Sequence, residues 1–189
     1  MPGLGNSYQS FMDRFVRTGT PDLPEVEKAV WSATPDNWAA YPESYATALL
    51  DQYKLYVETA DRISARRSIA NTFFLTLNSA IFTAIGLLWK DRPQGNVWWL
   101  VFPLVALLAQ CVAWYSLLRS YLQLNAAKYT VIGAMETKLP VSCYWSAEWK
   151  ALGEGKARGR YLPLTRVEQW IPAIFGLTYI AVFVAALLA

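Results

Sequence analysis

The fold is decided by one stretch, Ser68-Ile69-Ala70-Asn71-Thr72-Phe73-Phe74-Leu75-Thr76-Leu77-Asn78-Ser79-Ala80-Ile81-Phe82-Thr83-Ala84-Ile85-Gly86-Leu87-Leu88-Trp89. Its 22 residues include no Asp, Glu, Lys or Arg. As a helix it would be ~33 Å long, enough to cross the ~30 Å hydrocarbon layer of a bilayer. Two further uncharged stretches have the same reach, Val97 to Leu118 and Trp170 to Ala189. The first span begins far from Met1, so it does not read as a cleaved signal peptide. Between spans one and two lie only Lys90-Asp91-Arg92-Pro93-Gln94-Gly95-Asn96, a polar link with Pro and Gly that predicts a tight helical hairpin. The competing reading is a soluble protein with buried hairpin helices. Soluble chains of 189 residues rarely need three uncharged segments of this length.

Composition agrees. Hydrophobic residues make up 54% of the chain and charged ones 16%, against about 25% charge in an average soluble domain. Nine of the 14 acidic residues fall within the first 61 positions, so the charge is segregated. There is no histidine, which excludes Ser-His-Asp and Cys-His catalysis, His-ligated metals and a histidine pH switch. The two cysteines, Cys111 and Cys143, form no CxxC, so zinc-ribbon and thioredoxin-like chemistry are excluded too.

Lys and Arg predict the orientation, because positive loops stay cytoplasmic. Lys54, Arg62, Arg66 and Arg67 precede span one, and the hairpin tip has only Lys90 and Arg92. Eight basic residues lie between spans two and three: Arg119, Lys128, Lys138, Lys150, Lys156, Arg158, Arg160 and Arg166. The N-terminus and the long connection are therefore expected in the cytoplasm, with the hairpin tip and C-terminus outside. Trp89, Trp98 and Trp99 would mark the outer interface, and Trp114, Tyr115 and Trp170 the inner one. A cytoplasmic Cys143 would stay reduced, so no disulfide is expected.

The spans do not stop at the membrane. Ala46, Leu49, Tyr53, Tyr56, Ala60, Ile63 and Arg67 are spaced alternately 3 and 4, widened by Leu50 and Val57. That is a heptad seam, with Glu58 and Arg62 as an i,i+4 pair in the favoured order. One continuous helix is expected from about Glu43 to Trp89. After span two, Tyr121, Leu124, Val131, Met135 and Leu139 continue a stripe until Pro140. The chain thus divides into an N-terminal segment of residues 1–42, a long helical hairpin of 43–139, a connector of 140–165 and a third span of 166–189.

The N-terminal segment is broken by five prolines. Within it, Tyr8, Phe11, Met12, Phe15 and Val16 give Ser7 to Arg17 one apolar stripe. Such a helix either packs on the protein's own helices or lies on the membrane surface. A second short helix is expected to begin at Pro24. In the connector, Ser146 to Gly153 reads as a short helix with Ser as cap and Gly at its end. Gly153-Glu154-Gly155-Lys156 lacks the spacing and preceding strand of a phosphate-binding loop. Lys156, Arg158 and Arg160, with Arg166, either touch anionic headgroups or only enforce topology. Thr165 and Glu168 fit a capping box for span three, with Pro172 in its first turns.

Three ordered blocks carry a family resemblance. The first is Ala60-Asp61-Arg62-Ile63-Ser64-Ala65-Arg66-Arg67 followed by Asn71 to Asn78. The second is Arg119-Ser120-Tyr121 with Leu124 to Tyr129 and Glu136 to Pro140. The third joins Glu148-Trp149, Leu152 to Gly155, Tyr161 to Thr165, Val167-Glu168 and Pro172. Over residues 43–175 the chain resembles the bacterial RipA family of small octameric membrane proteins. The hairpin with long cytoplasmic helices is also similar, more distantly, to SLATT-type proteins, a class proposed to form pores. The RipA resemblance implies an octamer in the bacterial inner membrane and supplies no catalytic activity.

Span one carries the candidate site. Thr72, Thr76, Ser79 and Thr83 are spaced 4, 3 and 4, with Asn71 and Asn78 beside them. At 100° per residue the six share an arc of ~160°. Lipid cannot satisfy two asparagines, so this arc must meet protein or water. One reading is helix association through small polar residues. The other is a ring in which span one lines a water-filled axis, its mouth ringed by Arg62, Arg66 and Arg67 and favouring anions. Asp61 with Arg62 is the tightest ionic pair expected near the bilayer, and it reads as a helix-surface pair, so no enzyme is expected. No cofactor or metal is implied, and nucleic acid is not an expected partner at a net charge of +3. The expected partners are lipids and further copies of the chain; no soluble partner can be named. The expectation is therefore an all-α protein with three transmembrane helices, the first two continuing as long antiparallel cytoplasmic helices, in a ring-shaped homo-oligomer. Its role would be that of an envelope scaffold or regulatory component, or alternatively a pore.

Overall fold

The computed structural model describes residues 21–32, 42–89, 97–153 and 164–188. Among these the chain is helical and has no strand. The helices are α1, Leu23–Ser32; α2, Pro42–Leu88; α3, Val101–Glu136, entered through a 3-10 turn at Val97–Leu100; α4, Trp149–Ala151, which continues a π-turn at Cys143–Glu148; and α5, Leu164–Leu188. The helix Ser7 to Arg17, the hairpin link Lys90 to Asn96, and Lys156, Arg158 and Arg160 lie outside the described residues.

Three helices, α2, α3 and α5, are long and apolar enough to cross a membrane. The unbroken α2 of 47 residues follows from a sequence without an internal Pro or Gly before Gly86. Helix α3 ends at Glu136, three residues short of the expected Leu139. The residue before Pro140 is driven out of helical geometry, and Lys138 and Leu139 instead close tight turns onto the carbonyls of Met135 and Glu136, both at 3.2 Å. Helix α5 begins at Leu164, one residue before Thr165, and Pro172 lies in its third turn. The ring of Pro172 is fully buried there.

The described residues form two compact units, and α2 and α3 contribute to both. One comprises α1, α2 as far as Ser64, and the chain from Leu122 through α4. Here Leu49, Ala60 and Ile63 of the expected seam are buried, whereas Ala46 and Leu50 are exposed. On α3 the stripe is shifted: Leu124 is exposed, and Ile132, Ala134 and Met135 form the core with Thr130 and Glu136. The shift arises because α3 is covered from more than one side. The Trp31 indole N–H of α1 donates to the Ala134 carbonyl at 3.2 Å, and the Lys138 ammonium sits 4.2 Å over the Trp31 ring. The Trp145 ring lies against Gly133, where a Cβ would come within 2.6 Å of it. The connector helix starts earlier than Ser146, at Cys143, so Ser146 is interior and not a cap. Gly153, at φ 80°, ends it in the left-handed region that suits glycine.

The other unit comprises α2 from Ala65, residues 97–121 and α5. Its large exposed side chains, among them Ile69, Phe73, Leu87, Phe102, Val112, Ile174 and Leu177, form an apolar exterior suited to lipid. Trp98 and Trp170 are exposed, as interface aromatics should be. Trp114 is not: it is wholly buried. Its indole N–H is used inside the protein, which corrects the expectation that it marks the inner interface.

Candidate functional site

The six polar residues of span one separate into two groups. Asn71 and Asn78 differ by seven positions, so they project within ~20° of each other, and the hydroxyls project roughly 80–140° away. Asn78 is 0% exposed. Its amide N–H₂ donates to the Phe74 carbonyl at 2.8 Å, and its Oδ1 accepts the Tyr179 hydroxyl of α5 at 2.9 Å. The Cys111 sulfur of α3 lies 4.0 Å from the same oxygen. One side chain thus joins all three long helices. Asn71 accepts the Trp114 indole N–H at 3.1 Å.

Aromatic packing surrounds this hub. Trp114 stacks on Phe74 at 5.6 Å and 11°, meets Phe175 at 6.1 Å, and Phe175 meets Tyr179 at 6.3 Å. Gly176 of α5 faces Leu108 and Cys111 of α3, and a Cβ there would meet them at ordinary contact distances of 3.7 and 4.0 Å. Thr72, Thr76, Ser79 and Thr83 are all exposed on the protomer. The Thr83 hydroxyl bonds back to the Ser79 carbonyl at 2.9 Å, a bond that lets a hydroxyl tolerate an apolar setting.

Of the basic residues, Arg62 and Arg66 are exposed. Arg62 pairs with Glu58 at 2.6 Å, as the i,i+4 spacing requires, and not with the adjacent Asp61. The ionic contact that the sequence concealed is Arg67 to Glu168 of α5, at 3.6 Å and mostly shielded from solvent. Nothing local in either helix signals it. Both cysteines are free thiols, Cys111 buried and Cys143 exposed. Among the described residues no three His, Cys, Asp or Glu side chains gather as a metal site.

A second polar centre escaped sequence reasoning. Glu136, 3% exposed, accepts four hydrogen bonds: from the Tyr53 hydroxyl at 2.9 Å, the Ser142 hydroxyl at 2.7 Å, and the backbone N–H groups of Tyr144 and Trp145 at 2.9 and 3.0 Å. Burial alone would push its carboxyl up. The four donors outweigh burial and hold it below the ordinary 4.5. The Tyr53 phenol is pushed up by burial and by its bond to the carboxylate. This carboxylate ties the start of the connector helix to the end of α3. Beside it a cleft of about 480 Å³ is lined by Tyr53, Val57, Ala60, Tyr129, Ile132 and Tyr144, with Lys54, Glu58 and Asp61.

Three membrane-length helices pinned by buried side-chain bonds are thus in place, and residues 50–188 match the Octameric membrane protein family (8xMP). The chain belongs to that family. No curated protein and no solved structure matches it. As a member of the octameric membrane protein family it assembles with further copies of itself in a membrane. The match covers α3 and α5 entirely and α2 from its ninth residue onward, so both polar centres lie within it.

Proposed function

We propose that this protein is a non-enzymatic scaffold or regulatory component of the bacterial inner membrane, built as a ring of subunits. The observation that carries this reading is the dryness of Asn78. In a pore lined by span one, this amide would face water; here it is fully buried and bonded to Tyr179 and Phe74. The subunit contact then falls to Thr72, Thr76, Ser79 and Thr83, small residues that allow helices to approach closely. The distribution of Lys and Arg supports a cytoplasmic N-terminus and an external C-terminus, and the three sequence blocks support a place within or near the RipA family.

The second reading, a pore, is favoured by the exposure of those same four hydroxyls. In an octamer they would line the axis and not the contacts. Ion flux from liposomes loaded with the reconstituted octamer tests the choice. The scaffold predicts flux no greater than that of protein-free liposomes. Flux that depends on the residue at position 76 would reject it.

A further inference from the structure

Arg119 is unlike every other cation described in this chain. Its side chain is buried, with the residue only 5% exposed, yet Nε and Nη2 have no hydrogen-bond acceptor. These two nitrogens form one edge of the guanidinium, the planar fork that matches two oxygens of a single carboxylate or phosphate. A buried charge is ordinarily paired, so this edge lacks the partner that its burial demands.

The position narrows the identity of that partner. Arg119 is the first charged residue after the uncharged stretch Val97 to Leu118. Trp114 meets Phe175, while the next position, Gly176, faces Leu108 earlier on α3, so α5 runs antiparallel to α3. From there, 11 residues along α3 reach Arg119, and eight back along α5 reach Glu168, at 1.5 Å per residue a difference of less than one turn. Arg119 therefore stands level with the first turns of α5. The carboxylate at that level, Glu168, faces Arg67 at 3.6 Å as an ion pair without a hydrogen bond at its Oε2. The N-terminus of α5 adds the positive end of its dipole. Nearby Trp170 is 69% exposed, as an aromatic at the headgroup level would be. Arg67 and Arg119 thus outnumber the one carboxylate at this level.

We propose that the Nε–Nη2 edge of Arg119 binds a phosphate-type oxyanion beside the N-terminus of α5. The anion comes either from an anionic lipid headgroup or from free phosphate. Bound there, it supplies the acceptor that the protein withholds and links the ends of two membrane helices.

The test uses the intact octamer, delipidated in detergent, with phosphatidylglycerol, phosphatidylcholine or inorganic phosphate added. Thermal midpoint and retained lipid by native mass spectrometry are the readouts. Phosphatidylglycerol, but not phosphatidylcholine, should raise the midpoint and be retained if the source is lipid; inorganic phosphate alone should do so if the source is the free ion. Arg119→Leu should abolish the response, and Arg119→Lys, which keeps charge but loses the edge, should weaken binding roughly tenfold, the effect of one charge-assisted bond. Arg66→Gln, on an exposed arginine, should respond like wild type. If neither anion shifts wild type, or if Arg119→Leu and Arg119→Lys respond as wild type does, the proposal is overturned.

Discussion

The Tyr179 hydroxyl donates to the side-chain oxygen of Asn78 at 2.9 Å, between residues 101 positions apart in the chain. The bond places Asn78, one of the two asparagines of span one, inside the protomer. It also joins α5 to the parts of α2 and α3 that lie in the same unit, residues 65–121. Neither group has water at hand, so each depends on the other for satisfaction.

Substitutions at this bond should weaken the protomer itself, not merely its association. Tyr179→Phe removes one donor and is expected to cost ~0.6–2 kcal/mol. Asn78→Leu should cost at least as much, because it leaves the Tyr179 hydroxyl only the longer bond to the backbone carbonyl of residue 78, at 3.3 Å, and removes the bond from the Asn78 amide to Phe74. Asn78→Asp should be worst, since it buries a charge beside no cation. Unfolding in mild detergent, read by tryptophan fluorescence, should rank the three in that order. Combined, Tyr179→Phe and Asn78→Leu should cost less than the sum of the singles.

What could be read in advance follows from how local the signal is. The spans and the unbroken α2 depend on runs of residue type, and Gly153 on one backbone angle; all were visible along the chain. The ~160° polar arc was visible too, but it is wider than the contact made with one neighbouring helix. Which part turns inward depends on Tyr179 and Trp114, both remote in sequence. Glu136 was hidden for the same reason. A lone acid near a helix end looks like a surface residue, and at a helix C-terminus its charge is disfavoured by the dipole. Only its four donors, from α2 and the connector, explain it.

Acidification should loosen the connector before it touches the membrane helices. The Glu136 carboxyl is held below its ordinary 4.5 in the folded protein, so the stability it contributes is fully present above that value. It is lost as pH falls through the lowered folded value. Amide exchange at Tyr144 and Trp145 should therefore accelerate at strongly acidic pH and stay slow at neutral pH. In Glu136→Gln, exchange at those amides should already be fast at neutral pH and change little with acid.

Gly133→Ala tests the docking of the same segment by sterics. The new Cβ would fall 2.6–2.8 Å from Trp145 ring carbons, so the ring must move. A loss of about 1–3 kcal/mol is expected, seen as faster proteolysis within residues 142–153. The combination with Trp145→Ala, which opens the space, should recover part of the loss.

The central claim is that Asn78 is dry inside each subunit and that the hydroxyl face of α2 meets a neighbouring subunit. Its most direct test is the accessibility of a thiol at position 76, with Cys143→Ser to remove the exposed native cysteine and the buried Cys111 retained. In the assembled octamer, Thr76→Cys should resist a charged, membrane-impermeant thiol reagent and form intersubunit disulfides on oxidation. Rapid modification of Cys at position 76 by that reagent, without intersubunit cross-linking, would place the face in water and contradict the account.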